Sequence, residues 1–347
     1  MPNASATHLT RRGILAAGGA LGLGAVLTAC GDDDAKSGGS DDGTAAKAGP
    51  WSFKDDRGKT VELDKVPANI VAFTGVAAAL WDYGVQVKGV FGPTTTKDGK
   101  PDVQAGDIDV DKVTVLGNEW GKLNVEKYAA LAPELLVTTT FDTAGTLWSV
   151  PEESKDKIAK LAPSVAISVF DRQLTQPLQR MWELAESLGA DMKAKKVTDA
   201  KAAFEKAAAR LRAAAKAKPE IRVLAGSASA ELFYVSGTNL SVDLEYFKAL
   251  GVNFVEPSEE AKKATGGWFE SLSWENVDKY PADVIIMDDR ASTIQPADIT
   301  EGTWKQLPAV KAGQVIARSP EPILSYDKCT PLLDNLAEAI ENAKKVG

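Results

Sequence analysis

The chain has 347 residues, of which 44% are hydrophobic and 25% charged, and its formal net charge is −8 at pH 7. This acidic balance argues against nucleic acid as a partner. The only histidine is His8. The rest of the chain therefore lacks the imidazole of a Ser-His-Asp or Cys-His mechanism and the commonest side-chain ligand for zinc or copper.

Residues 1–29 have the parts of an export signal: Arg11 and Arg12 near the start, an apolar run over 14–27, and small residues before Cys30. The run contains glycines and is shorter than the roughly 20 residues of a spanning helix, so we predict a signal and not a membrane anchor. The arginine pair fits either twin-arginine or general secretory export.

Cys30 ends the tetrapeptide Leu-Thr-Ala-Cys at 27–30, which has the pattern of a lipobox. We expect acyl chains on Cys30 to hold the mature protein at the outer face of the cell membrane. Removal of residues 1–29 takes away two arginines and no acidic residue, which lowers the formal net charge from −8 to −10. Cys329 then remains as a single thiol, and no internal disulfide is expected.

Residues 30–50 are mostly glycine, serine, aspartate, alanine and lysine without apolar periodicity, and we interpret them as a flexible tether. The remaining chain of about 300 residues exceeds the usual size of one hydrophobic core and predicts two domains. Residues 51–53 and 60–63 alternate in polarity around Asp-Asp-Arg-Gly at 55–58, which predicts a β-hairpin.

Beyond the hairpin, predicted strands alternate with helices, which is typical of an α/β fold with parallel sheets. The first set of strands is predicted at 70–73, 87–91, 113–116, 135–139 and 165–169. One long helix of about 40 Å follows at 191–218, with Val197, Phe204 and Leu211 spaced by seven. Later strands are predicted at 221–225, 232–235, 284–287 and 315–317, and a closing helix at 331–345. The predicted domains are thus lobe one at 51–190, the helix at 191–218 and lobe two at 219–347.

A local pattern recurs at an offset of 149 residues. Glu126 precedes the strand at 135 by nine residues with a proline between them, and Glu275 stands in the same relation to the strand at 284. This recurrence favours two similar lobes, although turns between helices and strands often share such a pattern.

Seven short motifs in a fixed order support a family resemblance. They are Asp-Asp-Arg-Gly at 55–58, Asn-Val-Glu at 124–126, Leu-Ala-Pro-Glu-Leu at 131–135, Tyr-Val-Ser-Gly at 234–237, Leu-Gly-Val at 250–252, Leu-Ser-Trp-Glu at 272–275 and Leu-Pro-Ala-Val-Lys-Ala-Gly at 307–313. Over 51–347 the chain resembles the iron-siderophore and cobalamin family of periplasmic-type binding proteins, most closely actinobacterial lipoproteins for ferric hydroxamates of the ferrioxamine type. The resemblance implies the class III architecture, in which one long helix joins two α/β lobes around a cleft. Val252-Asn253 departs from the usual glycine-asparagine pair.

Several large aromatic residues lie in loops, where α/β folds bind their ligands. Trp120, Trp148, Trp268 and Phe269 are candidates for the cleft, and core packing is the alternative for each. Arg290 and Arg318 follow predicted strands and are candidate donors to hydroxamate oxygens through the planar guanidinium, with ion pairing as the alternative. A triply charged catecholate complex calls for a denser basic cluster than these segments contain.

The resemblance adds further candidates. It places Phe73, Thr74, Phe233 and Tyr234 in the cleft, with Phe141 and Tyr326 as additional choices. It also implies docking on a membrane permease through Glu275 of lobe two and through Glu152 or Glu153 of lobe one.

The expected function is that of a monomeric solute-binding protein for an ABC importer, without a cofactor, since the siderophore itself holds the iron. Cobalamin, haem or another siderophore class is the alternative cargo. An exported enzyme with a carboxylate or Ser-Lys mechanism and a sensory or adhesive surface lipoprotein also remain open, because a fold does not determine a function.

Overall fold

The computed structural model of the protein describes residues 49–347. The predicted export signal, Cys30 and most of the predicted tether lie outside the described residues. Within this range, every helix is too short or too polar to cross a lipid bilayer.

The predicted hairpin pairs β1 (Trp51–Lys54) with β2 (Thr60–Leu63). The Asp55 carboxylate closes the turn, because it accepts hydrogen bonds from the backbone N–H groups of Arg57 at 3.0 Å and Lys59 at 3.1 Å. It also accepts one from the N–H of Ala166 at 3.1 Å, which attaches the hairpin to lobe one.

Lobe one contains a five-stranded sheet in the order β5-β4-β3-β6-β7, and all its strand pairs are parallel, as predicted. Its strands are β3 (Ile70–Phe73), β4 (Gly89–Phe91), β5 (Thr114–Gly117), β6 (Leu135–Thr140) and β7 (Ser164–Ser168). Its helices are α1 (Thr74–Asp82), α2 (Val125–Ala130), α3 (Lys155–Leu161) and α4 (Thr175–Ser187). The central strands β3 and β6 are buried along their whole length because helices cover both faces of the parallel sheet.

Lobe two contains a second sheet in the order β11-β9-β8-β12-β13, with β10 also paired to β8. Its strands are β8 (Arg222–Ala228), β9 (Leu232–Ser236), β10 (Asn253–Phe254), β11 (Phe269–Ser273), β12 (Val284–Asp288) and β13 (Val315–Arg318). Its shorter helices are α6 (Val242–Ala249), α7 (Glu259–Lys262), α8 (Gly302–Gln306) and α9 (Pro308–Lys311).

The prediction of a purely parallel sheet is wrong for lobe two. β9 runs antiparallel to β8, and β11 runs antiparallel to β9. Only the three residues 229–231 join β8 to β9, and a parallel connection needs about a dozen. β10 and β11 were not predicted, since β10 has two residues and β11 alternates only weakly in polarity.

Two long helices pack against each other and share a hydrophobic core with both lobes. The predicted connecting helix is α5 (Lys195–Ala217), which has a length of about 34 Å and buries Val197, Phe204 and Leu211. It begins four residues later than predicted. The closing helix α10 (Tyr326–Asn342) begins five residues earlier than predicted, because the Ser325 side chain accepts a hydrogen bond from the N–H of Lys328 and caps it, leaving Pro331 inside.

The main hydrophobic core is continuous through lobe one, α5, α10 and the adjoining strands of lobe two. A smaller core fills the rest of lobe two around Phe233 and Trp304. Strands β3, β6 and β7 are neighbours in the same parallel order as β8, β12 and β13, which confirms two similar lobes. The exact domain boundaries at 190 and 218 stay a prediction.

A buried carboxylate at the start of β12 carries a prediction about acid stability. Asp283 is fully buried and accepts hydrogen bonds from the N–H groups of Arg222 at 2.8 Å, Val346 at 2.8 Å and Gly347 at 2.7 Å. The Lys345 ammonium donates another at 2.8 Å. Burial alone would raise the pKa of Asp283, but these donors outweigh it and lower the pKa to about 2.

Asp283→Asn is therefore expected to lower the free energy of unfolding at pH 7 by about 1–2 kcal/mol. Because the folded pKa lies below the unfolded value of about 3.9, the stabilisation is present above pH 4 and disappears as the pH falls towards 2. Urea unfolding at several pH values checks this, with Asp278→Asn at an exposed site of the same lobe as the control. If the loss of unfolding free energy in Asp283→Asn stayed constant down to pH 2, the stabilising role of the ionised Asp283 carboxylate would be refuted.

Candidate binding site

A cavity of about 350 Å³ lies between the two lobes at the carboxyl ends of their parallel strands. Its wall consists of Phe141, Trp148, Gly226, Ser227, Ser236, Ser241, Trp268, Phe269, Asp288, Arg290, Arg318, Pro320 and Glu321. A smaller recess adjoins it and adds Phe73, Gly75, Val76, Thr139, Val169, Leu240, Val242, Pro322 and Leu324. The volume falls in the range of about 300–1,000 Å³ that is usual for small-molecule sites.

Lobe one contributes Phe141 and Trp148, which flank the loop after β6. This loop folds back onto its own strand, because the N–H of Trp148 donates to the Thr139 carbonyl at 2.9 Å and the Thr138 hydroxyl donates to the Trp148 carbonyl at 2.9 Å. The two rings lie 4.6 Å apart between centroids. The loop therefore presents a fixed pair of aromatic rings to the cavity.

Lobe two contributes Trp268 and Phe269 at the start of β11. The turn before them needs Gly266 and Gly267, whose φ values of +68° and +97° favour glycine. The Trp268 carbonyl accepts a hydrogen bond from the N–H of Gly237 at 2.8 Å, which holds the turn against the end of β9.

The aromatic walls of the two lobes meet across the cavity. The rings of Phe141 and Trp268 lie 6.2 Å apart between centroids, within the range of a favourable aromatic pair. Phe73 lines the recess next to this contact. The structure thus brings together five of the aromatic side chains that the sequence singled out.

Arg290 reaches the cavity, but acidic side chains already contact its guanidinium. Its Nη2 lies 2.6 Å from Oδ2 of Asp288, and its Nη1 lies 2.5 Å from Oε1 of Glu321. The guanidinium carbon also lies 5.8 Å from the ring centroid of Trp120. Three of its five N–H donors are engaged, which leaves two for a ligand oxygen.

Arg318 borders the same cavity, although most of its side chain is buried in an ion pair. Its Nε and Nη2 donate to the two carboxylate oxygens of Asp243 at 2.7 and 2.9 Å. The side chains of Arg318 and Asp243 are only 5% and 0% exposed. The ion-pair alternative is therefore the observed one for Arg318. Within the described residues two of its five N–H donors are engaged, which leaves the two on Nη1 and one on Nη2 for a ligand.

Glu321 is the main cavity residue that the sequence reasoning missed. It lies between Pro320 and Pro322 just after β13, and its carboxylate faces both lobes. Burial raises its pKa, although Arg290 and the indole of Trp148 oppose that effect. An acidic residue between two prolines at the end of a parallel strand is a sequence signal that would have found it.

Five candidates from the sequence do not line the cavity. Phe233 is 1% exposed and packs on Trp274 and Trp304 in the core of lobe two, and Tyr326 packs between Trp182 and Phe204. The assignment of Phe233 and Tyr326 to the cleft is therefore corrected. The strand turns Phe233, and the helix turns Tyr326, towards a hydrophobic core.

The other three lie close behind the wall. Thr74 is fully buried and donates to the Phe91 carbonyl at 3.1 Å, while Tyr234 packs edge-on against Phe269. Trp120 lies against the Arg290 guanidinium. None of these three side chains lines the cavity, so their assignment to its wall is corrected.

Three carboxylates outside the cavity lie close together among the residues that the structure describes. Asp82, Asp107 and Asp327 form this group, and the Lys328 ammonium lies 2.6 Å from Asp107 and 3.2 Å from Asp327. A resident side-chain cation therefore already pairs with two of the three carboxylates.

The chemistry of the cavity suits binding more than catalysis. Its surface is largely aromatic and apolar, and its two arginines pair with three acidic side chains, Asp288, Glu321 and Asp243. Such a wall accommodates a bulky ligand with little net charge and a few exposed acceptor oxygens.

Comparison with known proteins agrees with this geometry. A family model described as periplasmic binding protein matches residues 70–322. A crystal structure described as DesE, a ferric-siderophore receptor protein from Streptomyces coelicolor, is 96% identical, with a TM-score of 0.85, and covers 86% of this chain and 100% of its own.

More distant structures share the fold alone. The siderophore periplasmic binding protein from the fuscachelin gene cluster of Thermobifida fusca is 22% identical, with a TM-score of 0.56 over 79% of this chain and 96% of its own. Staphylococcus aureus SirA complexed with staphyloferrin B is 19% identical, with a TM-score of 0.59 over 85% and 99%. The comparison with curated proteins gave no match.

Proposed function

We propose that this chain, which belongs to the periplasmic binding protein family, captures a ferric hydroxamate siderophore of the ferrioxamine type in the cavity between its lobes and delivers it to an ABC importer. The 96% identity to a ferric-siderophore receptor supports the cargo class, and the aromatic cavity is the observation that carries the proposal. The chain is thus a solute-binding protein that acts outside the cytoplasm, and not an enzyme.

The charge of the cavity favours a hydroxamate over a catecholate. Three hydroxamate groups cancel the charge of the ferric ion, so the complex is nearly neutral and presents apolar arms and oxygens. Each arginine at the cavity is already paired, Arg290 with Asp288 and Glu321, and Arg318 with Asp243. A triply charged ferric catecholate would meet no surplus of positive charge here.

In this proposal the aromatic rings of Phe141, Trp148 and Trp268 contact the apolar arms of the ligand. The free N–H groups of Arg290 and Arg318 donate to hydroxamate oxygens. The siderophore holds the iron throughout, and the protein needs no cofactor of its own.

Coloured cargoes test this function directly. A crystallised chain that covers 86% of this one shares almost all of its sequence, so the protein without residues 1–30 is a suitable sample. It is mixed with ferric ferrioxamine B, haem or cobalamin and passed over a gel-filtration column. Co-elution of the ferric hydroxamate alone supports the proposal, whereas co-elution of haem or cobalamin alone would change the cargo.

Delivery requires contact with a permease, and Glu275 remains our candidate on lobe two. Its side chain is exposed at the start of the turn after β11. On lobe one, Glu152 and Glu153 are both exposed, and Glu152 pairs with Lys155. Glu126, exposed at the start of α2, occupies the position in lobe one that Glu275 has in lobe two, and we add it as a third candidate.

Glu275→Arg is expected to leave the affinity for ferric ferrioxamine B unchanged and to lower iron uptake by cells at least severalfold, because it reverses the charge on the docking face. Uptake of radioactive iron from the complex measures this. Glu220→Arg is the control, since Glu220 is exposed just before the amino end of β8, the central strand of the sheet. Equal uptake by the two variants would remove Glu275 from the docking surface.

The membrane attachment remains part of the proposal. Lipid on Cys30 would keep the protein at the outer face of the cell membrane, close to its permease, with residues 31–50 as a tether. We propose that it works there as a monomer. Metabolic labelling with a radioactive fatty acid tests the anchor.

A further inference from the structure

Glu321 is the residue at which the two lobes make polar contact inside the cavity. It follows β13 of lobe two, and its side chain is only 12% exposed. Prolines on both sides restrict the backbone of this segment, which limits the directions in which the Glu321 side chain can leave it.

The two oxygens of this carboxylate serve different lobes. Oε2 accepts hydrogen bonds from lobe one, from Nε1 of Trp148 at 3.2 Å and from Nε2 of Gln104 at 3.3 Å. Oε1 accepts one from lobe two, from Nη1 of Arg290 at 2.5 Å. One side chain therefore orients an indole from one wall of the cavity and a guanidinium from the other.

Glu321 accepts an orienting hydrogen bond from each of these partners. Trp148 otherwise has ring contact with Phe141, which fixes its distance from that ring but leaves its N–H without an acceptor. Arg290 keeps Asp288 as a partner on its own lobe. Within residues 49–347, its hydrogen-bonded connection to lobe one runs through Glu321, which also accepts from Trp148. Because the Arg290 guanidinium is charged, its hydrogen bond to Glu321 is stronger than one between neutral groups and is well suited to fix geometry.

We propose that Glu321 is a positioning residue, which holds the Trp148 indole and the Arg290 guanidinium in the arrangement that receives the ligand. The part of this inference that concerns the ligand rests on the proposed function. The part that concerns the hydrogen bonds does not, and it can be measured without any ligand.

The indole N–H resonances of the protein without residues 1–30 test the hydrogen bond. The eight tryptophans give eight indole signals in a ¹H-¹⁵N spectrum, and Trp148→Phe identifies the one from Trp148. We expect Glu321→Ala to shift this signal upfield, because the acceptor of the indole hydrogen bond is lost, and Glu321→Gln to shift it less. Glu338→Gln, at an exposed site on α10, is the control and should leave it unmoved.

Binding of ferric ferrioxamine B tests the consequence. Glu321→Ala is expected to weaken affinity about tenfold, mostly through faster dissociation, while Glu338→Gln binds like the unaltered protein. Thermal unfolding verifies that the variants fold, and Glu321→Gln serves as the measured variant if Glu321→Ala does not.

An unmoved Trp148 signal in Glu321→Ala overturns the proposal outright. A moved signal with unchanged or tighter binding would show that Glu321 orders the empty cavity without helping the ligand, and this also overturns it. Failure of the unaltered protein to bind any ferric hydroxamate would reject the proposed function, and the indole signal would still decide whether Glu321 orients Trp148.

Discussion

Replacing Trp268 with alanine is expected to weaken binding of ferric ferrioxamine B by roughly fiftyfold. A tryptophan side chain buries about 150–250 Å² when fully covered, and we assign about 100 Å² of this to contact with the ligand. At about 25 cal/mol per Å², that area contributes about 2.5 kcal/mol, which corresponds to this loss of affinity.

The variant also removes the aromatic contact between the lobes. The Phe141 ring lies 6.2 Å from Trp268, and no other aromatic pair joins the two walls of the cavity among the described residues. Isothermal titration measures the affinity. Trp81→Ala is the matched control, because Trp81 is half-buried on α1 and does not line the cavity, and its affinity should be unchanged. Equal losses for the two variants would mean that Trp268 acts only through general stability.

Replacing Arg318 with methionine is expected to lower the free energy of unfolding by about 3–5 kcal/mol. The side chain of Asp243 is fully buried, and Arg318 holds both of its carboxylate oxygens. The single substitution leaves this carboxylate charged without its partner, so the folded state bears the full cost of its desolvation. Urea unfolding of the ligand-free protein measures the loss.

A double variant distinguishes the effect of the lost ion pair from the effect of the lost side-chain packing. Arg318→Met combined with Asp243→Leu removes both charges and is expected to recover most of the lost stability. Arg210→Met is the control for an exposed arginine, because Arg210 pairs with Glu341 and Asp334 where water screens the charges, and its loss should be much smaller. A double variant as unstable as Arg318→Met would mean that the lost shape, and not the buried charge, destabilises the protein.

Much of the fold follows from local patterns in the sequence. The parallel strands of lobe one are short apolar runs between helices, and spacing by seven in α5 places Val197, Phe204 and Leu211 on the buried face. The order β8, β9 and β11 is harder to predict. Their antiparallel arrangement depends on the three-residue connection between β8 and β9 and on the pairing of β9 with β11, which begins 33 residues further along the chain. The periodicity of hydrophobic residues predicts neither feature.

The candidate site, like the fold, could be predicted from the sequence only in part. Loop position was enough to nominate Trp148 and Trp268, because large aromatics after strands or glycines have few core positions to occupy, whereas Phe141 came from the family resemblance. The partners of polar residues were not predictable. Asp243 is 75 residues from Arg318, and Trp148 is 173 residues from Glu321, so only the folded chain reveals which charges are already paired.

These pairings also bear on selectivity. The cavity offers a few hydrogen-bond donors on arginines that are already neutralised, which suits a neutral complex with exposed oxygens. Placing a strongly anionic complex beside Asp288 and Glu321 would cost electrostatic energy. We therefore expect specificity to come from charge as much as from the shape of the aromatic wall.

Titration of the protein without residues 1–30 with ferric ferrioxamine B, followed by tryptophan emission, tests the central claim most directly. Trp148 and Trp268 line the cavity, so a bound ferric complex should quench their emission. We predict saturable quenching at submicromolar concentration with the ferric complex and a much weaker response with iron-free ligand and with cobalamin. Quenching by cobalamin alone would contradict the assigned cargo, and the absence of any saturable response would contradict the binding function itself.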